Sequence, residues 1–273
     1  MEVARRDSGV MNLIRRGDVV WQDDEHAWRR VDVIQLAGPV AVIGDIHGRL
    51  DLLSLLVARL DALHPDRAMP LFVVGDVVDR GPDSRGVIDL LVARGARGVR
   101  GNHEEWFARF AAGRGFDALA LSSVVGGRAA LDSYGITERS TGEIEARRHA
   151  VPSAHAEWVN SLPAALRLVV DDKPFWLVHA GVDGTAVTIE EPIGRMRELA
   201  RESPDNFLWL TRRPDEMAVL DGPVILGHNP IRTPHDAGHA IMIDTGSGVR
   251  DDGMLSAVLL PSRRFVSVAP ENR

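Results

Sequence analysis

The chain has 273 residues, 32 basic against 39 acidic side chains, a net charge of −7 and no cysteine, and a chain this long buries about three-quarters of its unfolded surface without a covalent staple. The absent thiols exclude disulfides, thiolate metal sites and a cysteine nucleophile. No Lys/Arg block stands out, so no nucleic-acid partner is expected, and the apolar runs are too short for a membrane-spanning helix. No apolar stretch of signal-peptide length follows the charged start, and a cytoplasmic, monomeric protein is expected.

Residues 1–38 are mixed and charged, with Trp21 and Trp28 but no clear period. They read as an extension packed on or flanking a single domain of residues 39–273. From Val40 the pattern becomes regular. Val40-Ala41-Val42-Ile43 is a buried-strand run ending at Gly44, and Leu50, Leu52, Leu53, Leu56, Val57, Leu60 and Leu63 then recur at helical spacing until Pro65. Leu71–Val74 repeats the strand and ends at Gly75. A loop with Gly81-Pro82 follows, then a helix from Ser84, a plausible N-cap, to Ala93. Gly98-Val99-Arg100 is a third short strand, with a helix opening near Glu104. This strand–loop–helix alternation predicts an α/β fold with parallel strands.

Residues 113–165 carry no strand run and predict a helical cap or insertion. Strands are expected after it at 166–170, 175–178, 224–226, 240–243, 255–260 and 265–268. Turns such as Asp171-Asp172 and Asp252-Gly253 predict hairpins and a mixed second sheet.

Three strand ends share one design: Gly44-Asp45-Ile46-His47-Gly48, Gly75-Asp76 and Gly101-Asn102-His103-Glu104. A donor placed straight after a strand projects from the carboxyl edge of the sheet, where open α/β folds bind ligands. Two later strands deliver His179 and His228 in the same way. Carboxylate, amide oxygen and imidazole suit Mn²⁺, Fe²⁺ or Zn²⁺, and three histidines disfavour a pure Mg²⁺ site. Six candidate ligands, Asp45, His47, Asp76, Asn102, His179 and His228, exceed what one catalytic ion with an open position needs. They suit two ions sharing one carboxylate.

These blocks, with Asp76-Val77-Val78-Asp79-Arg80-Gly81-Pro82, His179-Ala180-Gly181 and Gly227-His228, occur in the order found in calcineurin-like metallophosphoesterases, and the chain resembles the bacterial serine/threonine phosphoprotein phosphatases among them. The resemblance spans about residues 40–250. It implies a four-layer α/β/β/α sandwich. Asp45, His47 and Asp76 would hold one ion and Asp76, Asn102, His179 and His228 the other, most naturally Mn²⁺, with Fe²⁺ or Zn²⁺ as alternatives. It further implies in-line attack on phosphorus by a hydroxide bridging the two ions. Arg80 and Asn102 would bind the phosphate, His103 would protonate the departing oxygen, and Asp79 would hold His103. A further phosphate-binding arginine is expected after a Trp; Arg212 answers, one residue beyond the family spacing, with Arg213 as the alternative.

The expected activity is therefore hydrolysis of phosphomonoesters, foremost on phosphorylated serine or threonine of a protein or peptide partner, with dual specificity open. A dinucleoside polyphosphate hydrolase is the alternative; Asp79 and Glu104 are taken to argue against it. A non-catalytic scaffold is a third reading, disfavoured because every ligand is retained. Asp244-Thr245-Gly246 matches the aspartic protease tripeptide, but nothing else supports that lineage and a turn near the site is expected. His26, His64, His149, His155, His235 and His239 match no block, and Trp106, Phe107 and Phe110 are expected in the core.

Overall fold

Two mixed sheets form the centre of the protein, which a computed structural model describes over residues 27–183, 191–211 and 213–271. In chain order the strands are β1 (Val31–Leu36), β2 (Val40–Ile43), β3 (Leu71–Val73), β4 (Arg97–Gly98), β5 (Ala165–Val170), β6 (Lys173–Val178), β7 (Val224–Leu226), β8 (His235–Asp236), β9 (Ala240–Met242), β10 (Leu255–Leu260) and β11 (Arg264–Val268). One sheet runs β11-β10-β2-β3-β4 and the other β1-β5-β6-β7-β9-β8. Within them β2, β3 and β4 are parallel neighbours, as are β6, β7 and β9. Of the two expected hairpin turns, Asp171-Asp172 closes β5–β6, both residues having positive φ, whereas Asp252-Gly253 links β9 to β10 in different sheets and the second hairpin is β10–β11.

The sheets face each other across a core in which Val40, Val42, Phe72 and Val74 meet Leu166, Leu168, Leu177 and Ile225. Every residue of β2 is fully buried, which explains why its sequence is apolar throughout rather than alternating. On the outer face of the five-stranded sheet lie α1 (Leu50–Ala62), α2 (Ser84–Ala93) and α3 (Asn102–Ala111), packed through Leu53, Leu56, Ile88 and Phe110. On the outer face of the six-stranded sheet, α8 (Pro192–Glu202) and α9 (Pro204–Trp209) bury Met196, Ala200, Phe207 and Leu208. The result is the α/β/β/α sandwich implied by the resemblance. No described helix is long and apolar enough to cross a membrane.

Residues 113–165 form α4 (Asp117–Ala120), α5 (Gly127–Ser133), α6 (Thr141–Arg147) and α7 (Ser153–Asn160), and their Leu131, Tyr134, Ile144 and Val159 extend the core around α2 and α3. Of the segment expected as an extension, residues 1–26 lie outside the described residues. From residue 31 the segment is a strand of the larger sheet, pairing with β5 in parallel over Val31–Leu36; only Val31 is buried there, so an edge strand of this kind leaves little periodicity to read. Ser84 is not the cap of α2. Asp83 caps it, accepting from Gly86 N at 2.7 Å, while the Ser84 hydroxyl accepts the Asp79 N–H at 2.9 Å.

Candidate metal centre

Each donor block begins where a strand stops, and at Gly44, Gly75, Gly101 and Gly227 close packing dictates the glycine ahead of the donor. Gly75 has φ +99°, and a Cβ there would lie 2.5 Å from Gly101 N and 2.9 Å from His179 Nδ1. At Gly227 a Cβ would lie 2.0 Å from Asp45 Oδ1. Among the described residues nine non-glycine positions have positive φ, and five of them are His47, Asp76, Asp79, Arg80 and His228. Strain of this sort persists only where the surroundings over-determine the backbone, and it gathers at functional sites.

The side chains so delivered converge. Asp76, Asn102, His103, His47 and Asp45 are at most 3% exposed and His179 is fully buried. Two clusters of metal-binding geometry share Asp76: His47–Asp76–His103 and Asp76–His179–His228. In the second, His179 Nε2, His228 Nδ1 and Asn102 Oδ1 form a triangle with sides of 3.0, 3.1 and 3.2 Å. Ligand atoms at right angles around an ion with bonds of about 2.1 Å lie about 3.0 Å apart, so this triangle fits one face of a coordination shell. Asp76 presents Oδ1 to His179 Nε2 at 3.4 Å and Oδ2 to His47 Nε2 at 3.7 Å, one oxygen to each side.

Backbone carbonyls set the tautomers. His47 Nδ1–H donates to Val78 O at 3.0 Å and His179 Nδ1–H to Val74 O at 2.9 Å, which leaves each Nε2 lone pair facing the centre. Burial pushes His47 down to about 3 and His228 to about 4, so both rings are neutral, as ligands must be. Asp45 lies outside both clusters: its Oδ2 accepts from His228 N at 3.0 Å and its buried Oδ1 has no hydrogen-bond partner. Burial, then the charges of Asp244 and Asp76, push Asp45 well above the usual carboxylate range. An orphaned carboxylate oxygen among like charges fits a place for a cation.

Asp244 makes the turn expected of it, its Oδ1 accepting from Gly246 N at 2.9 Å, and it is near enough to Asp45 for the two charges to repel. It follows β9 by two residues, is 2% exposed, and is raised to about 6 by burial foremost.

His103 and Asp79 form the tightest contact of the site, Nδ1–H donating to Oδ2 at 2.6 Å, both residues buried. Although burial works against its charged form, His103 is raised, because Asp76 and Asp79 outweigh that cost. Arg80 is exposed at the mouth, its N–H held by Gly126 O at 3.0 Å, so the helical insertion positions the loop that carries it. Glu104 turns inward. Fully buried, it accepts from the N–H groups of Asp76, Val77 and Gly101 at 2.6, 2.8 and 3.0 Å and from Val78 at 3.4 Å. It braces the loop between β3 and Arg80 and does not face the site. Arg212 lies outside the described residues, and Arg213 turns to Glu216.

Trp106 differs from the core role expected of it. Phe107 and Phe110 are buried in the helical core, but Trp106 is half-buried and stacks edgewise on His103 with centroids 4.8 Å apart. Its other neighbour is Trp209, at 5.3 Å, which in turn meets His228 at 5.8 Å.

A sandwich of two mixed sheets with a paired-cluster centre at its strand ends is the architecture of one family: the chain belongs to the calcineurin-like phosphoesterases, whose pattern matches residues 38–251. Among relatives, it is 27% identical to the asymmetrical bis(5'-nucleosyl)-tetraphosphatase PrpE of Geobacillus thermodenitrificans over 84% of this chain and 93% of that protein. It is 48% identical to serine/threonine-protein phosphatase 1 of Salmonella typhimurium, over only 24% of this chain and 30% of that one. Two solved structures share the fold. One, provisionally described as a diadenosine tetraphosphatase, has a TM-score of 0.52 at 24% identity, covering 88% of this chain and 99% of its own. The other, a cold-active protein-tyrosine phosphatase of a psychrophilic Shewanella, has a TM-score of 0.53 at 14% identity, covering 92% and 84%.

Proposed function

We propose that this metal-dependent phosphoesterase hydrolyses dinucleoside polyphosphates, splitting a phosphoanhydride bond between two nucleosides. The full-length likeness to the PrpE tetraphosphatases carries this reading. The motifs had pointed first to phosphoprotein substrates, partly through Glu104; with that carboxylate turned into the loop, it has no direct part in choosing a substrate. Hydrolysis of phosphoserine or phosphothreonine is the second reading, supported by the short stretch shared with the Salmonella phosphatase and by the Asp79–His103 pair.

In either case Asp45, His47 and Asp76 would hold one divalent ion and Asp76, Asn102, His179 and His228 the other. Such a pair supplies Lewis acidity, offsetting phosphate charge and lowering the pKa of water. Asp76 sets the spacing by offering one oxygen to each side. The exposed Arg80 and the Asn102 amide would hold the phosphate oxygens, with the fork of a guanidinium matching their geometry. Asp79 fixes the His103 ring so that Nε2 faces the centre and can hand a proton to the departing oxygen.

The test strips the protein of metal, reloads it with Mn²⁺, and assays diadenosine tetraphosphate, p-nitrophenyl phosphate and a phosphoserine peptide together. The tetraphosphate is expected to show the highest kcat/KM, by about tenfold or more. A faster phosphopeptide would transfer the assignment to the second reading, and inactivity on all three with both ions bound would remove the enzymatic one. His103→Asn separates the two chemistries. A serine alkoxide needs a proton to leave and a polyphosphate does not, so turnover of the phosphopeptide should fall by roughly 10²–10⁴ and that of the tetraphosphate by much less. Equal losses would show that His103 is not the acid.

A further inference from the structure

Beside the metal centre lies an open recess of about 460 Å³, solvent at its mouth included. Asn102 lies where it meets the centre, Trp106 and Trp209 form one wall, and Trp28 and Arg29 belong to another. The indoles explain why it stays open. Their centroids are 5.3 Å apart and their planes tilted by 43°, so they support one another without an intervening ligand. Trp209 is nevertheless 44% exposed. A large aromatic ring half exposed next to a polar centre offers a flat face for stacking.

We propose that this recess seats a nucleobase of the substrate, stacked on the open face of Trp209 with Trp106 as its backing. The inference rests on the dinucleotide reading above and adds to it the part of the chain that recognises the nucleoside. A base cannot enter between the indoles without forcing them apart, so it lies on the outer face of the pair. From there the chain of contacts to the centre is short, through Trp209 to His228 at 5.8 Å and through Trp106 to His103 at 4.8 Å. A group on that face is adjacent to bound phosphate. Arg29 fits the same occupant: it lines the recess and brings a guanidinium charge to a wall that also carries Glu105 and Asp205. The acidic surface does not oppose this, because the guanidinium and the metal centre act locally. Stacking is tolerant of base identity, so the site distinguishes a nucleotide from a bare phosphate ester and not one base from another.

The test uses the full chain loaded with Mn²⁺ and reads tryptophan fluorescence during titration with AMP and, separately, ribose 5-phosphate. AMP should quench and ribose 5-phosphate should not. Trp209→Leu should weaken AMP binding by roughly five- to a hundredfold, with Trp209→Phe restoring most of it and metal content the same in both variants. For diadenosine tetraphosphate the change should appear in KM more than in kcat, and should exceed the change for p-nitrophenyl phosphate. Equal affinity for AMP and ribose 5-phosphate, or AMP binding within twofold of the parent in Trp209→Leu, overturns the platform. If Trp209→Leu does not fold, Trp209→Gln with the same titrations decides the matter, since a side chain without a ring should weaken AMP and leave ribose 5-phosphate unchanged. Base-dependent binding without tetraphosphate hydrolysis removes the proposed activity and leaves the platform. Tetraphosphate hydrolysis with a KM indifferent to Trp209 does the reverse.

Discussion

Replacing Glu104 by Ala should cost the metal-free protein about 3–5 kcal/mol, although the side chain touches neither substrate nor metal. Four backbone N–H groups, those of Asp76, Val77, Val78 and Gly101, end on its carboxylate. Each buried donor left unpaired costs roughly 1–3 kcal/mol. Against this stands the relief of no longer burying a charge, since burial and then the Asp76 charge already push Glu104 above the usual carboxylate range. The net figure is of the size found when one side of a buried charged network is removed, and it corresponds to a fall in Tm of roughly 10 °C. Urea unfolding of the metal-free protein measures it. Glu104→Gln should recover part of the loss, because its amide oxygen still accepts, while its NH₂ opposes N–H groups that it cannot satisfy. A loss below 1 kcal/mol in Glu104→Ala would mean that the loop does not depend on this brace.

Asp76→Asn should reduce turnover on every substrate by about a thousandfold, the several kcal/mol that a well-placed Lewis acid contributes. The amide keeps the shape and one oxygen, but it removes the charge that faces His47, His103 and His179 from a single point. Those contacts hold Asp76 well below the usual carboxylate range despite its burial, with His179 the leading contributor. Metal analysis after dialysis should show bound ions falling from two per chain toward one, while Trp209 and its recess are untouched. Two retained ions with near-normal turnover would show that Asp76 is not shared.

Much of this centre was legible because its chemistry is written locally. A strand, a glycine and a donor recur at Asp45, Asp76, Asn102 and His228, with His179 directly after its strand, and close packing around Gly75 and Gly227 explains why glycine precedes the donor. The strand runs at 224–226 and 255–260 were readable to the residue, because buried strands are continuous apolar runs. What escaped was set by long-range contacts or by weak periodicity. Trp106 lies on a helical stripe with Phe107 and Phe110, and nothing nearby in the chain reveals that Trp209 will meet it. The edge strand β1 has one buried residue and so no pattern. Helices α8 and α9 were not anticipated; each begins at a proline, residues 192 and 204, a start signal that composition alone does not distinguish from a loop. Glu104 looked like a marker of substrate class, and only the backbone donors around it reveal a brace.

The candidate ligands also have a bearing on how the chain matures. They come from separate strand ends of two sheets, and bonds such as that from His228 N to Asp45 Oδ2 join positions 183 apart in sequence. Asp45, His47 and Asp76 belong to the single unit β2–α1–β3, but the set of Asp76, Asn102, His179 and His228 draws on both sheets, so a half-assembled chain lacks the second site. Closing such long loops comes late in folding. Metal uptake is therefore a check on completion: stoichiometric binding reports that both sheets have docked, and an ion titration counts the correctly finished molecules in a preparation.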